Sequence, residues 1–482
     1  MEEELLRYIS TKLSDGPVLA RENTQKPDGE SFRYTRAYFR LKKHVDDFIN
    51  GDFSKRLIIF PGLRGVGKTT ALLQIYLYLT RNLGIEPSRV LYLSVDELRS
   101  YIGGGIYEAV KTFVEDIHRS TLPRLKRQLF ILVDEAHFDE KWGVASKVVY
   151  DQSRNIFMIL TGSSALSMEM SVDLARRAVK EPAFPLNFSE HLILKYRFFP
   201  PKGTAGCVKE LLFNPSEEAI DSSNTVLYRL MQSAIEIGRP LEKELEDYLL
   251  AGGFPFSLEL DIRGSHSRIF DMINRIVEKD VFSVGRYRAD TRNTISRLIY
   301  FLALQKPGGV SDVRLADKLN TSPSLVRSIL ETLEKTHLIV SVKPYGGAGK
   351  LVRKPWKYYF LAPSINAAIR TKLGAHTESL RQQLGLLVEN MAVFYFFRMK
   401  ETTGRPLGIF YDPKKRGADF IIQKSVDEVI PVEVGIGHKG TSQVKRSMSE
   451  HGAEYGVVIS AEGEVRRKGD VVFVPLTLFS FI

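Results

Sequence analysis

The sequence predicts an α/β protein built on a parallel sheet, with helical segments and a further α/β segment downstream. Three observations predict this. Short apolar runs at residues 56–60, 90–95, 129–133 and 156–160 alternate with stretches of helical length and periodicity. Apart from Arg56 and Ser94 the runs are apolar, with Ile or Val in each, instead of alternating with polar residues, as strands covered on both faces are. Glycine-rich or polar segments follow three of them, at the strand ends where open parallel sheets gather ligands.

Composition narrows the class. A chain of 482 residues is too long for one hydrophobic core and should divide into about three or four domains. Hydrophobic residues make up 44%, yet no run approaches the ~20 apolar residues of a membrane span, so no membrane is expected. Met1-Glu2-Glu3-Glu4 is acidic where a secretory signal is basic. The single cysteine, Cys207, excludes an internal disulfide and a cysteine-built zinc site, and the expected location is cytoplasmic. The net charge of +11 permits a nucleic-acid partner without establishing one.

The first apolar run leads into Gly62-Leu63-Arg64-Gly65-Val66-Gly67-Lys68-Thr69-Thr70, which matches G-x-x-x-x-G-K-[ST] between a strand and a helix. Glycines let successive N–H groups converge on one anion, and the helix N-terminus adds partial positive charge. Lys68 is placed to reach the β- and γ-phosphates and the Thr69 hydroxyl to hold Mg²⁺, so ATP with Mg²⁺ is the expected ligand. The run at 90–95 reads as a second strand ending in Asp96. The run at 129–133 delivers Asp134 and Glu135, the first to order Mg²⁺ and the second to polarise water. The fourth ends in Thr161-Gly162-Ser163-Ser164, where Thr161 and Ser163 are candidates for sensing the terminal phosphate. Asp134-Glu135-Ala136-His137 spells a helicase box, but no second motor lobe with its own arginine motif follows.

Further along, a helix from 293 to 304 is broken at 306–309, Ser311 caps a short helix, and Pro323 opens a longer one. Strand-like runs at 338–342 and 357–361 flank a glycine-rich loop, residues 344–350, read as flexible. Three helices and a hairpin predict a winged helix. From Glu334 to Glu378 no acidic residue intervenes, and Lys343, Lys350, Arg353, Lys354 and Lys357 bias the hairpin toward phosphate contact. The longer helix offers few bidentate base readers, so any DNA binding should be sequence-tolerant. An adaptor role between domains is the alternative, since fold alone does not fix function.

The order of these parts resembles an AAA-type ATPase. Phe184-Pro185-Leu186-Asn187-Phe188-Ser189-Glu190-His191, Tyr248-Leu249-Leu250-Ala251-Gly252-Gly253-Phe254-Pro255 and Lys279-Asp280-Val281 are similar to elements of prokaryotic and archaeal AAA-type ATPases. The resemblance implies a helical lid, a winged helix and a C-terminal endonuclease-like domain after the core. Glu389 on an amphipathic helix, Asp419 opening a strand and Glu433 on the next look like a PD-(D/E)xK core, whose acids hold metal and whose lysine activates water. Gly435 occupies the lysine slot, which predicts weak cleavage or none unless Lys439, His438 or Lys424 takes the role. Members with this layout have Gly-Arg before the Pro-Leu-x-Phe segment; here Arg176 and Arg177 stand nearby as candidate arginine fingers or as solvated helix residues.

The expected architecture is therefore α/β: a P-loop parallel sheet of AAA type with a helical lid, a winged helix and a C-terminal α/β endonuclease-like domain. The expected bounds are 1–50 for an N-terminal extension, 51–195 for the core, 196–288 for the lid, 289–365 for the winged helix and 366–482 for the nuclease-like domain. Hydrolysis should be slow in isolation, because the transition state wants an arginine that a homo-oligomer would supply. A nucleotide-switched scaffold without DNA chemistry is the competing function. Residues 1–50 carry no motif beyond a basic-aromatic stretch from Phe32 to Lys43, a candidate edge for the adenine pocket.

Overall fold

In the computed structural model, residues 2–163, 172–285, 287–305, 308–374, 379–404 and 406–482 are described. Ser164, the breaker Lys306-Pro307 and the boundary acid Glu378 lie outside these residues. The chain forms two compact units, residues 1–184 and 185–482.

The first unit is built on β1 (Leu57–Pro61), β2 (Val90–Ser94), β3 (Leu129–Asp134), β4 (Ile156–Gly162) and the short β5 (Val179–Lys180). All pairings are parallel, in the order β2-β3-β4-β1-β5. Every residue of β1, β3 and β4 is buried, which explains their continuous apolar sequences. The chain turns into a helix at Val95, so Asp96 opens that helix and does not end β2 as expected. The N-terminal fifty residues join this unit. Helix α1 (Glu2–Glu22) packs on β2 and on α3 (Lys68–Leu77), and Leu5 and Ile9, one turn apart, enter the sheet's apolar cluster. Helix α2 (Arg36–Ile49) is capped by Thr35, and Arg40 and His44 grip Glu181 at 2.7 and 2.8 Å.

The second unit begins with α4 (Phe188–Tyr196), followed by helices that include α5 (Leu241–Ala251) and α6 (Ile262–Arg275). Next come α7 (Thr291–Leu304), α8 (Asp312–Leu319, capped by Ser311) and α9 (Pro323–Lys335, capped by Ser322), then the antiparallel pair β6 (Ile339–Pro344) and β7 (Lys357–Phe360). The loop read as flexible contains a helical turn, Ala348–Arg353, between these strands. After α10 (Pro363–Lys372) and α11 (Leu380–Thr403) come β8 (Gly408–Tyr411), β9 (Phe420–Gln423), β10 (Val429–Val434), α12 (Ser442–His451), β11 (Gly456–Ser460), β12 (Arg466–Lys468) and β13 (Val471–Pro475). β6 pairs in parallel with β8, matching Lys343 with Phe410 and Pro344 with Tyr411. The hairpin and the C-terminal strands therefore share one sheet, β12-β13-β11-β10-β9-β8-β6-β7.

The two distinctive sequence segments meet inside this unit. Leu186 N–H donates to Gly253 O at 2.8 Å, and Tyr248 OH donates to Leu186 O at 2.8 Å. Asn187 and Glu190 cap α4 reciprocally in a capping box. Arg398 of α11 forks onto both Glu190 oxygens at 2.7 and 2.8 Å, while Tyr395 OH accepts from Phe188 N–H at 2.9 Å. Ser364 of α10 donates to Gly252 O at 2.6 Å. These segments are thus a structural knot that ties α4, α5, α10 and α11 together.

Candidate functional site

Strand register assembles the phosphate-loop site. Phe60 lies opposite Thr161 and Val133 opposite Leu160, so the ends of β1, β4 and β3 stand side by side. This places the loop after β1 beside Thr161 and Asp134. Gly65 and Gly67 have φ of 84° and 91°, a region that L side chains rarely adopt, and Gly67 hands the chain to α3 at Lys68. Residue 62 also has to be glycine, because a Cβ there would lie 2.4 Å from Ala183 O. The Lys68 ammonium donates to Gly62 O and Leu63 O at 2.9 and 3.1 Å, arching over the loop.

Asp134 is the hub. Its Oδ2 accepts from Thr69 Oγ1 at 2.7 Å and from Tyr92 OH at 3.1 Å, and its Oδ1 accepts from Thr161 Oγ1 in a short hydrogen bond. Tyr92 is held far above the usual phenol range, first by burial and then by the Asp134 charge, so it stays a donor. Glu135 follows in the left-handed region, φ 53°, a conformation that costs a non-glycine residue about 1–3 kcal/mol. Its N–H donates to Thr161 Oγ1 at 3.1 Å and to Asp134 Oδ1 at 3.2 Å, which pins the backbone and leaves the carboxylate to swing. That carboxylate is 3.2 Å from Arg64 Nη1 of the phosphate loop. Ser163 Oγ is buried and finds no hydrogen-bond partner among the described residues. A buried hydroxyl without a partner beside a phosphate-binding loop fits a ligand oxygen or an ordered water. The donor set, with one hydroxyl and one buried carboxylate in contact beside a glycine loop at positive φ, fits a Mg²⁺-bound triphosphate.

The sequence-predicted residues divide. Lys68, Thr69, Asp134, Glu135, Thr161 and Ser163 converge. Arg177 instead forks onto Asp151 at 2.7 and 3.2 Å on the surface, and Arg176 is exposed beside it. The chemistry missed in the sequence is the charge of Arg64, legible only as a variable position of the motif. In the Phe32 to Lys43 stretch, Lys42 is bound to Asp46 at 2.6 Å and Tyr34 stacks on Tyr38 with centroids 4.1 Å apart.

A second cluster lies in the other unit. Glu389 and Asp419 line a cavity of about 480 Å³ together with Arg381, Gln382, His438 and Lys439. Glu389 accepts from Tyr359 OH, lies 3.8 Å from the Lys357 ammonium, and is pushed up to about 7 by burial first and then by Asp419. Asp419 accepts from Val434 N–H at 2.9 Å. Glu433 is turned onto Lys439 at 2.8 Å and Gln443 at 2.8 Å. A Cβ on Gly435 would fall 2.3 Å from Lys439 Cε, so the Lys439 stem fills the space that a side chain at 435 would use. Lys424, another candidate for that role, bonds to Phe213 O and Asn214 at 3.2 Å instead. Among the described residues, no three histidine, cysteine or acidic groups converge closely enough to hold a metal ion. On the hairpin, Lys350, Arg353 and Lys354 are exposed, Lys343 lies over the Trp356 ring at 4.6 Å, and Lys357 faces Glu389. Among the described residues, no helix is long and apolar enough to cross a membrane.

Residues 54–192 match an AAA domain, and residues 242–379 match a domain of unknown function, DUF8612. An uncharacterised protein of Haemophilus influenzae is 25% identical over 403 residues, 80% of this chain and 83% of that protein. Among solved structures, the Walker-type ATPase PABY2304 of Pyrococcus abyssi is 14% identical, with 72% of this chain and 97% of that chain covered and a TM-score of 0.39. The uncharacterised protein MJ1637 of Methanocaldococcus jannaschii is 35% identical over 473 residues, 98% of this chain and 93% of that protein. The chain belongs to the family of this archaeal protein and carries an AAA-type ATPase domain over residues 54–192.

Proposed function

We propose that the protein binds and slowly hydrolyses ATP with Mg²⁺, and that its nucleotide state repositions a winged helix and an endonuclease-like module on DNA. The observation that carries the ATPase half is the convergence of Thr69, Thr161 and Tyr92 on Asp134, beside a loop whose lysine already caps its own carbonyls. Bound Mg²⁺-ATP supplies the scissile phosphoanhydride and spreads charge over its phosphate oxygens. Lys68 and the loop amides neutralise that charge, Thr69 and Asp134 hold the cation, and Glu135 orients water and accepts its proton. Thr161 keeps Asp134 and the Glu135 backbone in register, and Ser163 offers its buried hydroxyl to the terminal phosphate. Arg177 is occupied by Asp151, so an arginine from a second copy of the chain is the source that would speed turnover.

The DNA half rests on the exposed Lys350, Arg353 and Lys354 at the hairpin tip, in a stretch free of acids. Because β6 also pairs with β8, hairpin and nuclease-like module act as one body, which makes that module a docking element more than an independent cutter. The scaffold reading is favoured by one observation, the engagement of Glu433 by Lys439 and Gln443, which occupies one of the three acids. Hydrolysis measured with and without duplex DNA at low salt separates the two. Stimulation that disappears in the Lys350, Arg353 and Lys354 triple-alanine variant supports DNA coupling, with the salt slope reduced by about one unit per lost contact. No binding to duplex or single-stranded DNA at low salt leaves the scaffold reading.

A further inference from the structure

Arg64 sits on the phosphate loop between Gly62 and Gly65, yet its guanidinium points at Glu135, with Nη1 3.2 Å from Oε1. Both side chains are about three-quarters covered, at 22% and 26% exposure, so the pair is shielded enough to matter and open enough to be exchanged. The Glu135 backbone cannot follow its side chain, because Thr161 and Asp134 hold its N–H. The carboxylate is the free end of the residue, and in this pair it is turned toward the loop and held by a cation. Arg64 belongs to the phosphate loop itself, so a terminal phosphate seated on that loop would compete with Glu135 for the same guanidinium. A phosphate carries more charge than a carboxylate and matches the planar fork of arginine equally well.

Resting on the ATPase reading above, we propose that Arg64 is the residue that reads the terminal phosphate. Before nucleotide binds, Arg64 neutralises Glu135 and keeps it from polarising water. When a triphosphate fills the loop, the guanidinium transfers to the terminal phosphate and Glu135 is released to face the attacking water. A diphosphate has no group at that position, so the Arg64–Glu135 pair persists with ADP. One arginine thereby couples ATP-over-ADP discrimination to arming of the water-activating carboxylate, in cis.

The test is a double-mutant cycle on binding, independent of turnover. Calorimetry would measure the affinity of the β,γ-methylene ATP analogue and of ADP, with Mg²⁺, for wild type, Arg64→Ala, Arg64→Lys, Glu135→Gln and the double variant Arg64→Ala/Glu135→Gln. Glu135→Gln in the wild-type background should tighten the analogue by about five- to tenfold, because it removes the competing anion. In the Arg64→Ala background the same change should do less than about twofold, and ADP should show no such coupling. Arg64→Ala should weaken the analogue more than ADP, and Arg64→Lys should restore part of the difference. Equal effects of Glu135→Gln in both backgrounds, or equal weakening of both nucleotides by Arg64→Ala, would overturn the proposal. Wild-type protein that binds neither nucleotide would instead overturn the ATPase reading on which it rests.

Discussion

Replacing Arg398 with methionine removes the cation from a buried ion pair of the second unit. The side chains of Arg398 and Glu190 are 13% and 7% exposed, and the guanidinium makes both bonds of a fork plus a 3.2 Å bond to Pro185 O. Methionine keeps the stem's packing but takes both fork donors from the Glu190 carboxylate, which retains Asn187 N–H at 3.0 Å. Breaking one side of such a buried pair costs about 3–5 kcal/mol, because an uncompensated charge remains. At about 2 °C per kcal/mol for a unit of this size, the thermal midpoint should fall by roughly 6–10 °C. Adding Glu190→Gln should recover a large part of the loss, since a neutral amide still caps α4. The assay is thermal unfolding followed by circular dichroism, with wild type, both singles and the double compared. A midpoint shift below about 2 °C for Arg398→Met, or a double variant no better than the single, would refute the account of the knot.

Other expectations are independent of that one. His191 is pushed down to about 4, by burial first and then by Lys195, whereas an unfolded histidine titrates near 6.5. The unfolded state therefore binds the proton first, so stability is full above about 6.5 and is lost as pH falls through 6.5 toward 4, by roughly 3 kcal/mol. Urea midpoints for His191→Phe should be flatter than wild type over that window, and parallel curves would contradict the assignment. Thr161→Val should slow hydrolysis by roughly 5- to 150-fold, the equivalent of 1–3 kcal/mol for stranding its two partners. Unchanged turnover would remove Thr161 from the site. On linear, branched and single-stranded DNA with Mg²⁺ or Mn²⁺, neither wild type nor Asp419→Ala should cut above background. Cutting by wild type that disappears in both Asp419→Ala and Lys439→Ala would show that Lys439 restores a working centre.

The parallel sheet and its phosphate loop were legible because their signals are local. A buried parallel strand must be apolar throughout, and a loop that cradles phosphate must place glycine where φ is positive, as at Gly65 and Gly67. The cap at Ser311 and the helix start at Pro323 were legible for the same reason. What escaped the sequence is long-range. Nothing near Arg64 announces a carboxylate 71 positions later, and that pairing follows only from the order of β1, β4 and β3. Helix α1 was readable in principle from Leu5, Ile9 and Leu13 at helical spacing, but its burial depends on a sheet face it cannot specify. The pairing of β6 with β8, and the use of Lys439 to fill the space over Gly435, likewise depend on residues the chain brings together only when folded.

The central claim is that the Lys68, Asp134 and Glu135 cluster binds and hydrolyses ATP. Its most direct test is equilibrium binding of a fluorescent ATP analogue alongside steady-state phosphate release, for wild type, Lys68→Ala and Glu135→Gln. On the proposed reading Lys68 holds the phosphates and Glu135 activates water without itself holding the nucleotide, so the two substitutions should separate binding from turnover. The account predicts slow hydrolysis by wild type, no measurable nucleotide binding by Lys68→Ala, and retained binding with turnover abolished in Glu135→Gln. Glu135→Gln turning over ATP at the wild-type rate, or Lys68→Ala binding nucleotide as wild type does, would contradict it.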